Sequence, residues 1–265
     1  MKFENTHAYN FEGSLHGMRN PMNSWDKSDS FFGIVDLYDG NALNDMADKW
    51  GQEDSYKWLK INGVLRASDT YDGLFDVAFI GPNDMALAQK LLLAGNEHAK
   101  FTRQIFVSVD ITAPLYWWKE FDTYKVGTVA NSTSTMHKLS STPITIQAFD
   151  FDDLDLVIYT YKITHGGERE VVFEDYVYDI IDMCETMRRK FIETGDSRYW
   201  KALIQILPSS YLQTRTVTMS YANLRNIYFQ RQHHKLNEWH EFCNWIKTLP
   251  YANELIILED KNETD

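Results

Sequence analysis

Two absences in the sequence bound the compartment and the class of the protein. Only two cysteines, Cys184 and Cys243, occur in 265 residues, and both fall within apolar helical patterns. We therefore expect buried thiols rather than a disulfide framework or a metal pair. No run of about 18 apolar residues occurs, and the N-terminal residues lack the apolar core of a signal peptide. These features predict no membrane span and a cytoplasmic location.

Motifs that mark catalytic or nucleotide sites locally are also missing. The sequence contains no G-x-G-x-x-G, no Walker A motif and no G-x-S-x-G elbow. His233 and His234 are adjacent, but adjacent side chains on a helix point ~100° apart, which suits a shared metal poorly. We expect no metal site.

Basic residues are in the minority. Lysine and arginine total 26 against 38 aspartate and glutamate residues, which gives a formal net charge of −12. This balance argues against binding to nucleic acid or to an anionic membrane surface. A few converging arginine or lysine side chains can still form a local positive pocket, so a small anionic ligand is not excluded.

Hydrophobic residues make up 44% of the chain and aromatic residues 14%, enough for a sizeable core. Periodicity predicts strands at residues 74–80 and 101–111, and helices at residues 83–95, 168–194, 220–232 and 237–248. Residues 41–60 are predicted to form one helix, or two helices that meet at Gly51. We predict an α+β fold, a single domain with a mixed or antiparallel sheet flanked by long helices. We predict that residues 1–30 form an N-terminal segment packed against the main domain, that residues 31–250 form this domain and that residues 251–265 form an acidic C-terminal tail.

Residues 107–138 are the most informative stretch. An alternating strand runs to Ala113-Pro114, an aromatic helix with Trp117-Trp118 follows, and a polar run covers residues 131–135. A strand, a proline break, a short helix and a hydroxyl-rich loop can offer side chains and free N–H groups to an anion. The alternative is a buried aromatic helix followed by an ordinary surface loop.

Several short motifs occur in an order that is typical of one family. They are Glu97-His98, Ala113-Pro114, Trp117-Trp118, the polar run 131–135, Leu207-Pro208, Asn223-Leu224-Arg225, Arg231, His234 and Trp239. In order and spacing, over roughly residues 83–245, the chain resembles the flavin-dependent thymidylate synthases. The resemblance implies the fold of the thymidylate synthase-complementing proteins, FAD as cofactor, a pyrimidine nucleotide as ligand and a homotetramer with active sites between subunits. NADPH and methylenetetrahydrofolate would be used only if the family reaction is retained.

The chain departs from the family where the substrate is held. The family has an Arg-His-Arg signature after the tryptophan helix, and only Lys125 keeps a positive charge there; Ser132 replaces a glutamate, and Met136-His137 replaces an Arg-Tyr pair. Lysine provides a point charge rather than a planar fork of donors, so an anionic substrate should bind more weakly. The loss argues against methyl transfer to dUMP.

The resemblance also assigns individual residues. Its cofactor-binding positions are His98, Lys125, Asn223, Arg225 and His234, and its substrate-binding positions are Asn131, Ser134 and Arg231. Four of these positions have a simpler alternative: Asn223 as a helix cap, Ser134 as a turn hydroxyl, His98 as a strand-edge residue and Arg225 as a surface charge. The function predicted is therefore a diverged flavin-dependent thymidylate synthase-like protein that binds FAD, a pyrimidine nucleotide or both. The alternative is a non-catalytic nucleotide-binding or structural homo-oligomer that retains the scaffold.

Overall fold

Strands and helices are interspersed along the chain, and the predicted α+β class is confirmed. The computed structural model describes residues 1–36, 66–67, 74–151, 159–164 and 167–259. The strands are β1 Lys2–Tyr9, β2 Phe31–Asp36, β3 Arg66–Ala67, β4 Leu74–Phe79, β5 Phe106–Pro114, β6 Val129–Ser132, β7 Tyr159–Thr164, β8 Gly167–Val172 and β9 Leu212–Ser220. The helices are α1 Phe11–Arg19, α2 Pro82–Leu93, α3 Leu115–Phe121, α4 Thr135–Lys138, α5 Phe173–Thr194, α6 Ser197–Ile206, α7 Tyr221–Arg231, α8 Asn237–Lys247 and α9 Ala252–Leu255. Short 3-10 helices cover Asn20–Met22, Trp25–Lys27, Ala99–Arg103 and Ile146–Ala148.

The strands form a four-stranded sheet in the order β1-β5-β9-β6, a three-stranded sheet β2-β4-β3 and a hairpin β7-β8. Buried and half-buried side chains alternate along β5, and Val107, Val109 and Ile111 are fully inaccessible to solvent. This alternation of the two faces is what the sequence pattern predicts for a strand with one well-buried face. In the smaller sheet β4 pairs antiparallel with both β2 and β3.

Three predicted boundaries need correction. The strand predicted over 101–111 starts only at Phe106, because Phe101 and Thr102 are both buried in a 3-10 helix, an arrangement that a strand with one buried face cannot provide. The helix predicted from residue 168 starts at Phe173, since the preceding β-branched residues form β8 and pair with β7. Helix α2 starts at Pro82, directly after Gly81, and ends at Leu93, whereas the sequence pattern predicts residues 83–95. The helix predicted at residues 41–60, and residues 260–265 of the predicted tail, lie outside the described residues.

The other helix predictions are closely matched. Helix α7 begins with a capping box in which Ser220 and Asn223 each bond the backbone of the other. Helix α8 ends at Lys247 and buries the apolar stripe expected from its periodicity. Gly195 ends α5 with a φ of 67°, a left-handed conformation that favours glycine.

The chain forms two compact units. The first comprises Met1–Glu4, Asp110–Lys125 and Ala130–Val217, and its core includes Ile181 and Cys184 from α5 and Leu203 from α6. Within it, the Arg188 guanidinium lowers the pKa of Glu185 to about 2, against an ordinary value of 4.5. Glu185 also accepts a hydrogen bond from the backbone N–H of Ile144, and Arg188 donates to the carbonyl of Ser140. The pair therefore ties the loop before Ile144 to α5.

The second unit comprises Asn5–Val109, Val126–Val129 and Thr218–Asp265. Phe11 of α1 is buried there, with its ring packed edge-on against Tyr221 and Tyr251. The Tyr251 hydroxyl donates to the carbonyl of Ala78 and accepts from the N–H of Ile80, each at 3.0 Å. These bonds join the end of β4 to the turn before α9.

Both cysteines are buried free thiols, as predicted. Burial raises the pKa of Cys184 and of Cys243 to about 11, so neither is a reactive thiolate at neutral pH. None of the helices in the described ranges has the length and hydropathy of a membrane span.

Candidate functional site

A cleft of about 960 Å³ opens within the second unit. Its lining comes from the end of α1, the two 3-10 helices that follow, helix α2 and the start of the Ala99–Arg103 turn. The volume lies near the upper end of the ~300–1,000 Å³ range of small-molecule sites. The cleft is thus large enough for a nucleotide-sized ligand.

The most deeply buried polar side chain of the cleft lining is Arg19, which is 5% exposed. Its Nε donates to Oδ1 of the fully buried Asp84 at 2.5 Å, and its Nη1 donates to the carbonyl of Ser24 at 3.3 Å. The other carboxylate oxygen of Asp84 accepts from the hydroxyls of Ser28 and Ser30, at 2.6 and 2.5 Å. A buried carboxylate needs such partners, because an unpaired charge without water is very costly. This network fixes the position of Arg19 at the floor of the cleft.

A second carboxylate, Asp29, occupies the N-terminus of α2. Its oxygens accept from the backbone N–H groups of Asn83 at 2.8 Å and Asp84 at 3.1 Å. Two of the donors that a helix start leaves without an intrahelical partner are therefore already bound. The helix N-terminus is accordingly not available as the anion-binding element of the cleft.

Apolar and cationic groups line the rest of the cleft at different depths. Met18 is buried, and Leu87 and Leu91 on α2 are half-buried. Lys27 and Lys100 are exposed at the rim. Two residues that adjoin lining residues in the sequence, His16 and Trp25, stack their rings with an interplanar angle of 10° and centroids 5.6 Å apart. The cleft therefore combines an apolar wall for a planar ring with cations near the solvent.

A different network surrounds the polar loop in the first unit. Arg215 on β9 donates from Nη1 to Asp122 at 2.7 Å and from Nε to Gln213 Oε1 at 2.9 Å. Its guanidinium lies 4.3 Å from the ring centroid of Trp118. Gln213 Nε2 donates in turn to the carbonyl of Thr133 at 2.9 Å. The end of α3 and the loop around Thr133 are thus linked through one arginine.

The predicted site residues of the second unit have varied surroundings. His98 is exposed at the start of the Ala99–Arg103 turn and lines the cleft. Asn223 takes part in the capping box of α7 and also donates to the carbonyl of Val126 at 2.6 Å. The alternative role of Asn223 as a helix cap is therefore present. Arg225 donates from Nη1 to the carbonyls of Ile256 and Leu258, at 2.6 and 2.7 Å.

Arg231 and His234 are brought together on one aromatic ring. The Arg231 guanidinium lies over Trp239 at 4.7 Å, and the His234 ring meets the same side chain at 6.1 Å in an edge-on arrangement. In the first unit, Lys125 and Asn131 are exposed and Ser134 is half-buried. Ligand contacts for these eight residues stay predictions.

The floor of the cleft was not predicted from the sequence. Arg19, Asp84, Ser28 and Ser30 carry no local motif, and Arg19 and Asp84 are 65 residues apart. Arg19 is the last residue of an amphipathic helix, in a position that a basic side chain favours at a helix end, so its burial was not evident. Among the described residues, no three His, Cys, Asp or Glu side chains are grouped so as to hold a metal ion.

The fold and the cleft together define an α+β protein with a sheet, flanking helices and a nucleotide-sized site. No protein-family model matches the chain, and no curated protein matches it by sequence. Solved structures do match in fold. One is the flavin-dependent thymidylate synthase ThyX from Helicobacter pylori complexed with FAD and dUMP, at a TM-score of 0.56 and 12% identity, covering 97% of this chain and 98% of that one.

A second structure of ThyX from Helicobacter pylori with FAD and dUMP gives a TM-score of 0.55 and 12% identity, with 97% of each chain covered. A UMP/dUMP methylase, PolB from Streptomyces cacaoi bound with 5-Br UMP, gives a TM-score of 0.46 and 13% identity, covering 65% of this chain and 82% of that chain. The two ThyX matches confirm the predicted fold.

Proposed function

We propose that the chain is a diverged flavin-dependent thymidylate synthase-like protein that binds FAD or a pyrimidine nucleotide in the cleft of the second unit. The observation that carries the proposal is the composition of that cleft, which combines a buried guanidinium floor, apolar walls and a cationic rim. Support also comes from the ThyX structures of the same fold, which hold FAD and dUMP.

The residues of the cleft fit such a ligand. Leu87, Leu91 and Met18 can cover one face of a planar ring, whose burial contributes about 25 cal/mol per Å² of apolar surface. Lys27 and Lys100 can approach a phosphate at the rim as flexible point charges. Bound FAD would supply hydride chemistry. The chain itself would bind the cofactor, orient it and exclude water from one face of its ring.

We propose that ligand binding is retained and that the family reaction is lost. Only Lys125 remains of the Arg-His-Arg signature, and a lysine cannot replace paired guanidinium forks. NADPH and methylenetetrahydrofolate therefore have a role only if methyl transfer survives. The alternative, a non-catalytic nucleotide-binding or structural homo-oligomer, retains the same scaffold but binds no flavin. A homotetramer and a cytoplasmic location are further parts of the proposal.

The test is a ligand screen on the purified chain. We expect added FAD, FMN, UMP or dUMP to raise the melting temperature, because a ligand that binds only the folded state stabilises it. His98→Ala should weaken binding, whereas His240→Ala, the same change at an exposed position on α8, should not. NADPH oxidation that depends on dUMP would establish retained catalysis. If none of these ligands binds at millimolar concentration, the proposed function is wrong.

A further inference from the structure

Arg19 and Asp84 are joined by one hydrogen bond, from Nε to Oδ1, rather than by two parallel ones. A carboxylate frequently accepts from two guanidinium nitrogens in parallel. Here only Oδ1 of Asp84 accepts from Arg19, and Oδ2 accepts from the hydroxyls of Ser28 and Ser30. Nε and Nη1 of Arg19 are engaged by Asp84 and Ser24. Within the described ranges, Nη2 has no hydrogen-bond partner. A donor of this kind at the floor of a cleft favours an oxygen acceptor on a ligand.

The charge of the floor determines which acceptor fits best. The carboxylate of Asp84 neutralises Arg19, so the floor offers directed N–H groups without a net positive charge. A neutral carbonyl oxygen loses far less hydration than a phosphate on entering such a site. The inner part of the cleft therefore favours a carbonyl over an anion.

The rim has the opposite character. Lys27 and Lys100 are exposed there, as are the carboxylates Asp26 and Glu97. Glu97 is 3.8 Å from Lys100 and 86% exposed, so the two form a weak pair that a phosphate can replace. Asp29, the remaining acidic residue of the lining, already accepts two backbone N–H groups. A charged group is therefore bound more favourably at the rim than at the floor.

We infer that Arg19 is a specificity-determining residue that recognises the carbonyl edge of a planar ring, with the phosphate of the ligand directed outward to Lys27 and Lys100. The inference rests on the proposed function and adds the orientation and chemical class of the ligand. Uracil and the pyrimidine ring of a flavin share the required carbonyl–NH–carbonyl edge. With the phosphate directed outward, the group at ring position 4, opposite the ribose, is the one that meets Arg19. Uracil has a carbonyl oxygen there, whereas cytosine has an amino group, which would oppose a guanidinium donor with another donor.

The experiment compares ligands that differ at one edge or at the phosphate. Titration calorimetry with UMP, CMP, uridine, FMN and riboflavin separates the two sources of the carbonyl edge. We expect the wild-type chain to bind UMP about tenfold or more tightly than CMP, because the wrong edge leaves a buried donor unpaired. We expect UMP to bind more tightly than uridine, and FMN more tightly than riboflavin.

Three variants assign the effects to residues. Arg19→Lys keeps a charge for Asp84 but lacks the planar fork, so the preference for UMP over CMP should disappear. The double variant Lys27→Ala/Lys100→Ala should weaken UMP and CMP equally and leave uridine unchanged. Lys201→Ala, which removes one lysine at an exposed position on α6, should match the wild type. Circular dichroism melts identify a variant that fails to fold.

The outcomes separate the two proposals. Binding of UMP and CMP with equal affinity, or tighter binding of CMP, overturns the role of Arg19 and leaves the proposed function intact. This comparison needs only the wild-type chain, so it tests the role of Arg19 even if the Arg19→Lys variant does not fold. Uridine binding that falls as much as UMP binding in the double lysine variant overturns the outward position of the phosphate. Absence of binding by every nucleotide and flavin refutes the proposed function itself.

Discussion

Replacement of the buried carboxylate Asp84 by its amide gives the most direct test of the network beneath the cleft. Asp84 is fully buried and accepts from Arg19, Ser28 and Ser30. In Asp84→Asn the side chain keeps its shape but loses its charge, so Arg19 is left as a buried cation without a counter-ion. Breaking a buried pair on one side costs about 3–5 kcal/mol.

That cost is large compared with the total stability of a domain, which is typically about 5–15 kcal/mol. Chemical denaturation should therefore show a clearly lower free energy of unfolding for Asp84→Asn. The melting temperature should fall by roughly 6–20 °C, since each kcal/mol shifts it by about 2–4 °C in a chain of this size. Glu193→Gln is the matched control, because Glu193 pairs with Lys190 on the surface and is 58% exposed. Exposed pairs are worth about 0–1 kcal/mol.

A loss below about 1 kcal/mol for Asp84→Asn would refute the reasoning, because it would mean that water or another group solvates Arg19. The double variant Arg19→Met/Asp84→Asn adds a check. If Arg19 becomes an unpaired charge in the single variant, removing it as well should recover part of the lost stability. No recovery would indicate that Asp84 acts mainly through Ser28 and Ser30.

The remaining predictions concern other contacts. Arg215→Met should cost about 1–3 kcal/mol and speed amide hydrogen exchange in residues 131–135, whereas unchanged exchange would contradict the link between Arg215 and that loop. Glu185 has a pKa lowered to about 2 by Arg188, so its stabilisation is present above pH 4.5 and is lost as the pH falls from 4.5 towards 2. The melting temperatures of wild type and Glu185→Gln should accordingly differ most near neutral pH and converge only as the pH approaches 2; a constant gap would be inconsistent with this linkage. Arg225→Ala removes the donor to the carbonyls of Ile256 and Leu258, so limited proteolysis should cut the C-terminal segment faster, and an unchanged cleavage rate would count against that anchor.

Local signals explain why much of the fold could be predicted. Helix α8 repeats its apolar residues at helical spacing, and α7 follows a serine cap, so each was placed within one residue at each end. The predicted start of α5 was wrong because residues 168–172 are β-branched and acidic, a composition that suits either the end of a strand or the start of a helix. These residues form β8 because they pair with β7, and the local sequence pattern does not indicate that pairing.

The candidate site was harder to predict than the fold. His98 was expected to bind the cofactor; it lies in the lining of the cleft, and the cofactor contact stays a prediction. Arg19 was missed because its partner is a buried aspartate from a distant helix, and a single sequence does not indicate which of many acidic residues it meets. Arg225 was expected to contact a cofactor, and the structure bonds it to carbonyls near the C-terminus. A basic residue on a helix is equally compatible with a ligand, a solvent-exposed face or a structural anchor until the tertiary contacts are known.

The placement of Asp29 has a practical consequence for handling the protein. The carboxylate that caps α2 and the hydroxyls that bind Asp84 all come from residues 28–30, which precede the first residue of β2. Clipping by a protease near Asn23, whose positive φ of 50° marks an exposed turn, would separate α1 from these groups. A preparation nicked there could keep its mass on a sizing column while losing the shape of the cleft, so intactness of the first thirty residues should be verified by mass spectrometry before any negative binding result is accepted.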